Sequence, residues 1–399
     1  MVRILAVTNP HSRAFRRNPA LLNEVCEAYK ICSADHHITQ NLDELTRVLE
    51  KAEEYNKGMG SVNGGDGSLI AALTIKFRLH GDDEPVTMWA NPFGNNNKEA
   101  RDRGIISQLA FGARLDTQRR RFMFDTANDI RKGKKLRKSR ADILKITWID
   151  NKGEEQVNYA FDFCIGAPAQ GVLQYYGQTS ESITNDPMQN RKMQYSPFAI
   201  ATTFLDNLTT ILSGEKPYQK VRAKTKIDSK DITGMLGEKV KDGYSEYLGA
   251  FISTGETALP GLRACYLAHS GNGRAHLIAS NMPTLSLAKY LPRWIFGYSV
   301  EEDPYTLEDS VKSAEFDFAD QIVISFGGEF RKTPYAKVEV LKDRVHFIVP
   351  RVRDRIYPEN VVLAASGKVL YHTGVIKVYE ALFKAVEGNN NNNNNNNNR

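Results

Sequence analysis

A chain of 399 residues, 41% hydrophobic and 25% charged, reads as an ordinary soluble globular protein long enough for two cores, neither disordered nor fibrous. No stretch approaches the roughly 20 uninterrupted apolar residues of a membrane-spanning helix. The net charge of +6 is modest, and the four cysteines (Cys26, Cys32, Cys164, Cys265) share no CxxC spacing and no histidine at metal-ligand distance, so free thiols are expected.

The opening run, Met1 to Val7, is too short for a signal peptide and predicts a buried strand over 2–8, which makes the cytoplasm the expected address. The turn Asn9-Pro10-His11-Ser12 follows, then a helical pattern over 18–30. A second helix is predicted from Asn41 to Tyr55, with Leu42, Leu45, Leu49 and Ala52 on one face; Thr39, Asn41, Asp43 and Glu44 signal its start. A short strand through Asn63 enters the loop Gly64-Gly65-Asp66-Gly67-Ser68, and a helix runs on from Leu69 to about Leu79. The strand Val86 to Ala90 then enters a second loop, Pro92-Phe93-Gly94-Asn95-Asn96-Asn97. Strand, loop and helix in alternation predict a Rossmann-like parallel sheet with helices on its faces.

From Ala141 the period changes. Ile143 to Ile149 alternates, meets the turn Asp150-Asn151-Lys152-Gly153 and finds a partner strand in 156–164, a hairpin pattern. A helical insertion is expected over 170–213, strands at 219–227, 246–253, 262–268, 274–279, 313–325 and 336–349, and a last helix over 374–386. The fold class expected is therefore α/β plus β-rich: an α/β part over 1–140, then a mainly antiparallel β-sandwich with inserted helices over 141–325, and a C-terminal segment over 326–388. Residues 389–399, ten asparagines and Arg399, have nothing apolar to bury and are expected to be disordered.

The chemistry concentrates in the first glycine loop. Three glycines in four positions let the backbone approach a bulky ligand, and a strand leading in with a helix leading out aims backbone N–H groups and the helix dipole at one point, a ready anion site. Ser68 adds a hydroxyl. Asp66 beside a phosphate is repulsive unless it organises a metal ion or accepts a proton; the plain alternative is a tight turn in which Asp66 caps a helix. The second loop belongs at the same carboxyl edge of the parallel sheet, where ligands bind.

Other features are weaker. Eleven Lys or Arg between Arg114 and Arg140, against Asp116, Asp125 and Asp129, fit a solvated helix face first and an anionic membrane or polyphosphate second. Their aromatics are not interleaved in an RNA-reading pattern, so they do not suggest nucleic acid. The apolar stretches 197–212 and 285–298 fit core first and a membrane-docking segment second. His36, His37, His80, His269 and His276 match no zinc spacing, and neither a Gly-x-Ser-x-Gly elbow nor a Walker loop occurs.

Taken together, Asn9-Pro10, the Gly-Gly-Asp-Gly-Ser loop, and Pro92-Phe93-Gly94 with Asn97, Ala100, Arg101 and Gly104-Ile105 resemble the diacylglycerol kinase catalytic-domain family, in its bacterial lipid-kinase branch, which is related to sphingosine and ceramide kinases. Ala141-Asp142-Ile143 and Gly327-Gly328-Glu329 extend the resemblance to about residue 350. It implies ATP- and Mg²⁺-dependent phosphorylation of a lipid hydroxyl by a peripheral protein at an anionic membrane surface. Asn9, Thr39, Gly64, Gly65, Asp66, Gly67, Ser68, Gly94, Asn95 and Asn97 would meet the nucleotide. Asp66 would sit at the phosphates or metal, Glu329 would be the general base on a C-terminal segment returned to the interdomain cleft, and Asn272-Gly273 stands where the family has a metal-binding Asp-Gly turn. This chain departs from the family with Asn95 for a hydroxyl, Gly327 for an Asp and Asn272 for an Asp. An NAD kinase, which shares the glycine loop, and a nucleotide- or lipid-binding protein without catalysis are the alternatives.

Overall fold

The structure is a computed structural model that describes residues 3–51, 58–94, 97–106, 112–176, 178–180, 182–183, 220–235, 242–256, 265, 267–268, 272–282, 286, 299 and 305–350. Asn95, the stretch 197–212, nearly all of 285–298, the helix expected over 374–386 and the asparagine tail lie outside the described residues.

Chain order begins with β1 (Ile4–Thr8), α1 (Arg13–Arg17), α2 (Ala20–Cys32), β2 (Asp35–Ile38), α3 (Leu42–Glu50), β3 (Met59–Gly64), α4 (Asp66–His80), β4 (Val86–Pro92), α5 (Lys98–Asp102) and α6 (Gly112–Arg131). All five residues of β1 are buried, as expected of a parallel strand covered on both faces. Strands β2, β1, β3 and β4 lie side by side and parallel, so their carboxyl ends share one edge. Helix α3 starts where the sequence signals it: the Asn41 side chain accepts from Glu44 N at 2.9 Å, and the Glu44 carboxylate accepts from Gln40 N at 2.7 Å. Helix α4 buries Leu69, Ile70, Ala72, Leu73, Thr74, Ile75 and Phe77, too many directions for a surface helix, and so lies deep against the sheet.

The second half runs β5 (Arg137–Ile149), β6 (Glu155–Ala160), β7 (Asp162–Gly166), α7 (Ala167–Tyr175), β8 (Val221–Ile227), β9 (Lys230–Asp231), β10 (Ser245–Tyr247), β11 (Gly249–Ser253), β12 (Ala275–Ser280), β13 (Thr306–Val311), β14 (Ser313–Phe326) and β15 (Glu329–Val349). The β5–β6 hairpin is closed by Asp150, whose Oδ1 accepts from Lys152 N (2.8 Å) and Glu154 N (2.9 Å). Strand β15 joins the halves. It pairs antiparallel with β14 and β5, then parallel with β4 through Val345, His346 and Phe347. Parallel and antiparallel strands thereby form one mixed sheet with the path β13-β12-β11-β7-β14-β15-β4-β3-β1-β2.

Four elements differ from the sequence reading. Strand β15 begins at Glu329 rather than 336, with Pro334 inside it. The ladder to β14 pairs Thr333 with Ile322 and Tyr335 with Asp317, and Pro334, which has no N–H to give, falls in that register shift. The strand expected at 262–268 is not formed at Cys265 and Leu267, which lie in turns; Cys265 and Ala268 pack against Phe251, and buried apolar turns look like strand in a sequence. The polar edge strands β2 and β13 have no apolar alternation to announce them. Among the described residues no helix is long and apolar enough to cross a membrane.

Candidate functional site

Parallel register places Thr8, Asn63 and Asn91 in one row at the carboxyl ends of β1, β3 and β4. Tyr29 reaches them from α2. Its hydroxyl lies 2.6 Å from Ser61 Oγ and donates to Asn63 Oδ1 at 2.9 Å. Asn91 Nδ2 donates to that same Oδ1 at 2.9 Å, and Asn63 Nδ2 donates to Thr8 Oγ1 at 2.8 Å. Thr8 Oγ1 in turn lies 2.8 Å from His36 Nε2. Burial pushes the Tyr29 hydroxyl far up and His36 down to about 4, so both are neutral at physiological pH. A connected buried network of this kind holds three strand ends in register directly beneath the loops.

The first glycine loop leaves β3 with Gly65 extended as the N-cap of α4. Ser68 Oγ accepts from Asn9 Nδ2 at 2.9 Å, and Asn9 Oδ1 accepts from His11 N at 2.9 Å, so the turn after β1 is tied to the glycine loop. Thr39 is buried beside them, its N–H bonded to Thr8 O at 2.9 Å. The second loop crosses the first: Phe93 N donates to Gly64 O at 2.8 Å, and a β-carbon on Gly94 would lie 2.3 Å from Gly65 Cα. The two backbones touch, which only glycine permits at that crossing. Asn97, left-handed at φ 50°, folds its carboxamide back on Gly94, accepting from its N–H at 2.8 Å and donating to its carbonyl at 3.1 Å. Phe93 anchors the loop, stacked on Phe15 at 4.6 Å with the Arg119 guanidinium 5.4 Å from its ring.

Asp66 joins the loops. Its Oδ2 accepts from Lys98 N at 3.0 Å and its Oδ1 from Glu99 N at 3.4 Å. The carboxylate of the first loop therefore caps α5, the helix of the second. Burial raises its pKa to about 6, against the pull of the Lys98 N–H.

Glu329 arrives from the far half. The Gly327-Gly328 turn between β14 and β15 has φ of 56° and 78°, and a β-carbon on Gly327 would lie 2.0 Å from Ile70 Cδ1, so the turn rests on the start of α4. Glu329 Oε2 sits 3.7 Å from Arg331 Nη1. Gly327 N donates to Asp162 Oδ1 at 2.7 Å, and Asp162 Oδ2 lies 3.3 Å from Lys98 Nζ. Lys98 Nζ also meets Glu99 Oε1 and Ser253 Oγ, each at 3.4 Å, while Glu99 Oε2 meets Arg103 Nη2 at 3.4 Å. Burial alone lowers the Lys98 ammonium pKa; Asp162, Glu99 and Asp102 outweigh it and hold the group above its ordinary value. Sequence reasoning missed this charged cluster, because Lys98, Glu99 and Asp162 look like solvated residues until their mutual pairing is seen.

The structure thus brings Asn9, Gly64, Gly65, Asp66, Gly67, Ser68, Gly94 and Asn97 into one loop cluster, sets Thr39 buried at its base, and lays the Glu329 turn against its helix. Asn272 lies elsewhere. Its Oδ1 accepts from Arg274 N at 2.8 Å, while the neighbouring Asp142 accepts from Gly273 N (2.7 Å) and Asp343 N (2.8 Å). Each carboxylate oxygen of Asp66 and Asp142 already accepts one backbone N–H. Among the described residues no group of three His, Cys, Asp or Glu side chains could hold a metal ion. The described residues do not by themselves assemble a Mg²⁺ centre.

No family model matches the chain, and no curated protein matches its sequence. Its structure is similar to solved ones from Bacillus anthracis strain Sterne. One is a diacylglycerol kinase, 15% identical, with a TM-score of 0.52 over 88% of this chain and 97% of that chain. Two others carry that designation provisionally: one is 16% identical (TM-score 0.57, 88% of this chain, 95% of that chain), the other 15% identical (TM-score 0.56, 87% and 97%). At such identities the likeness shows the fold alone, over 87–88% of this chain.

Proposed function

We propose that the crossing loops bind ATP by its phosphates, and that the protein transfers the γ-phosphoryl group to a hydroxyl of a diacylglycerol-like or sphingoid lipid. The observation that carries this reading is the contact of the Gly65 and Gly94 backbones above the amino end of α4. There, first-turn N–H groups, the helix dipole and the Ser68 hydroxyl converge on a surface stripped of side chains. The likeness to solved diacylglycerol kinase structures supports the same reading.

In this mechanism the loops hold the triphosphate. Mg²⁺ arrives as the counter-ion of the nucleotide and belongs to the substrate. Glu329 accepts the proton of the attacking lipid hydroxyl as the new O–P bond forms and the bond to ADP breaks. Asp66 acts through the loops it joins, fixing α5 against α4. The exposed cations that follow α6 (Lys132, Lys134, Lys135, Arg137, Lys138 and Arg140) suit peripheral attachment to an anionic bilayer.

A second reading, nucleotide binding without turnover, draws on one observation: both Asp66 oxygens accept backbone N–H groups. Purified protein with γ-labelled ATP and Mg²⁺, offered diacylglycerol, sphingosine or ceramide in mixed micelles and NAD in parallel, separates the possibilities. Labelled lipid is the expected result. Label on NAD alone would replace the lipid acceptor with a dinucleotide, and ATP binding without any product would favour the non-catalytic reading.

A further inference from the structure

Asp66 and Glu329 come from opposite halves of the chain, yet a continuous run of polar contacts links their segments. The Asp66 carboxylate accepts from Lys98 N; the Lys98 ammonium meets Asp162 Oδ2; Asp162 Oδ1 accepts from Gly327 N, two residues before Glu329. Lys98 is thus read twice, through its main chain by the glycine loop and through its side chain by β7. Asp162 is read twice as well, one oxygen for each half. The turn it holds cannot relax freely, because Gly327 is left-handed and pressed on Ile70 of α4.

We infer that Asp162 is a positioning residue, which through Lys98 and the Gly327 N–H sets the Glu329 turn against the nucleotide loops. This deepens the kinase reading and rests on Glu329 as the base. A carboxylate is the side chain that serves both partners at once. It offers one oxygen to an ammonium and the other to an N–H, and both bonds are strengthened by its charge. Replacing it with Asn keeps an acceptor for Gly327 N but removes the charge that Lys98 meets; Ala removes both.

The test combines a readout that does not need activity with one that does. Amide hydrogen exchange across 326–330 is followed in the full-length protein, in Asp162→Asn and in Asp162→Ala, with exchange in β1 and β12 as internal references. In Asp162→Ala, exchange at 326–330 is expected to quicken about ten-fold or more, as when a hydrogen bond to a charged acceptor is lost. The reference strands are expected to stay unchanged, and Asp162→Asn to fall between. In the transfer assay kcat for Asp162→Ala is expected to fall roughly 10- to 100-fold, as for a reacting group displaced by about an ångström, with ATP affinity within about two-fold. Unchanged exchange at 326–330, or equal acceleration in the reference strands, would overturn the inference. So would an ATP affinity that falls as far as kcat. If the unaltered protein transfers no phosphate at all, the kinase reading fails, while local exchange still reports whether Asp162 holds the turn.

Discussion

Gly65 and Gly94 meet backbone to backbone, so the side chain each lacks is the feature that matters. In Gly94→Ala the new carbon would lie 2.3 Å from Gly65 Cα and 3.0 Å from Asn97 Oδ1. Gly65 Cα is backbone and cannot swing aside, and Asn97 Oδ1 is held in place by the Gly94 N–H, so the loops must part. That overpacking is expected to cost about 1–3 kcal/mol in urea unfolding, and ATP affinity measured by calorimetry is expected to fall with it. Asp66 gives a second expectation. Its pKa rises from an ordinary 3.8 to about 6, so between those values the folded protein holds a proton that the unfolded chain has released. Its favourable contribution to stability is full below pH 3.8 and is lost as pH rises through about 6. The stability difference between the unaltered protein and Asp66→Asn, from urea unfolding at a series of pH values, should change across that window and be flat above it. The glycine loops were legible in the sequence because only a close approach of backbones demands so many glycines. The cluster of Lys98, Glu99 and Asp162 was not, since nothing in a sequence tells a buried, paired charge from a solvated one.

At the scale of elements, α2 matters to the site through Tyr29. Its hydroxyl serves Ser61, Asn63 and Asn91, and removing it leaves buried amides short of a partner. Tyr29→Phe is expected to lower stability by about 1–3 kcal/mol, the cost of stranding buried polar groups, as read from denaturant midpoints. Hydrogen exchange at the ends of β3 and β4 should rise with it; an unchanged midpoint would show that the network contributes nothing. The helices α2, α3 and α4 and strands β1, β3 and β4 were legible because apolar periodicity and capping residues agree with their tertiary burial. The network between them was not, because its members are single polar residues on separate strands whose register only the folded sheet reveals. Strand β15 was read only in part, since Pro334 and the charges beside it look like an interruption.

For the whole molecule, the change of pattern near Ala141 marks where parallel strands give way to antiparallel ones, yet the sheet does not stop there. Strand β15 lies between β14, β5 and β4, and Phe347, fully buried, pairs with Met88 on one side and Ser139 on the other. The two parts should therefore unfold together. Trp89 in β4 and Trp148 in β5 report on them separately, and single-tryptophan variants are expected to give coincident urea transitions. Phe347→Ala is expected to lower both midpoints by an amount worth about 3–5 kcal/mol; two separate transitions would contradict a common core. That continuity also sets the turn before Glu329 against α4, so the proposed chemistry depends on it.

The most direct test of that chemistry is transfer of labelled phosphate from ATP to diacylglycerol in mixed micelles, with the unaltered protein and Glu329→Gln assayed side by side. Labelled lipid is expected from the unaltered protein, with a loss of about 100-fold or more in Glu329→Gln and little change in ATP affinity. Labelled lipid formed equally well by both proteins, or by neither, would contradict it.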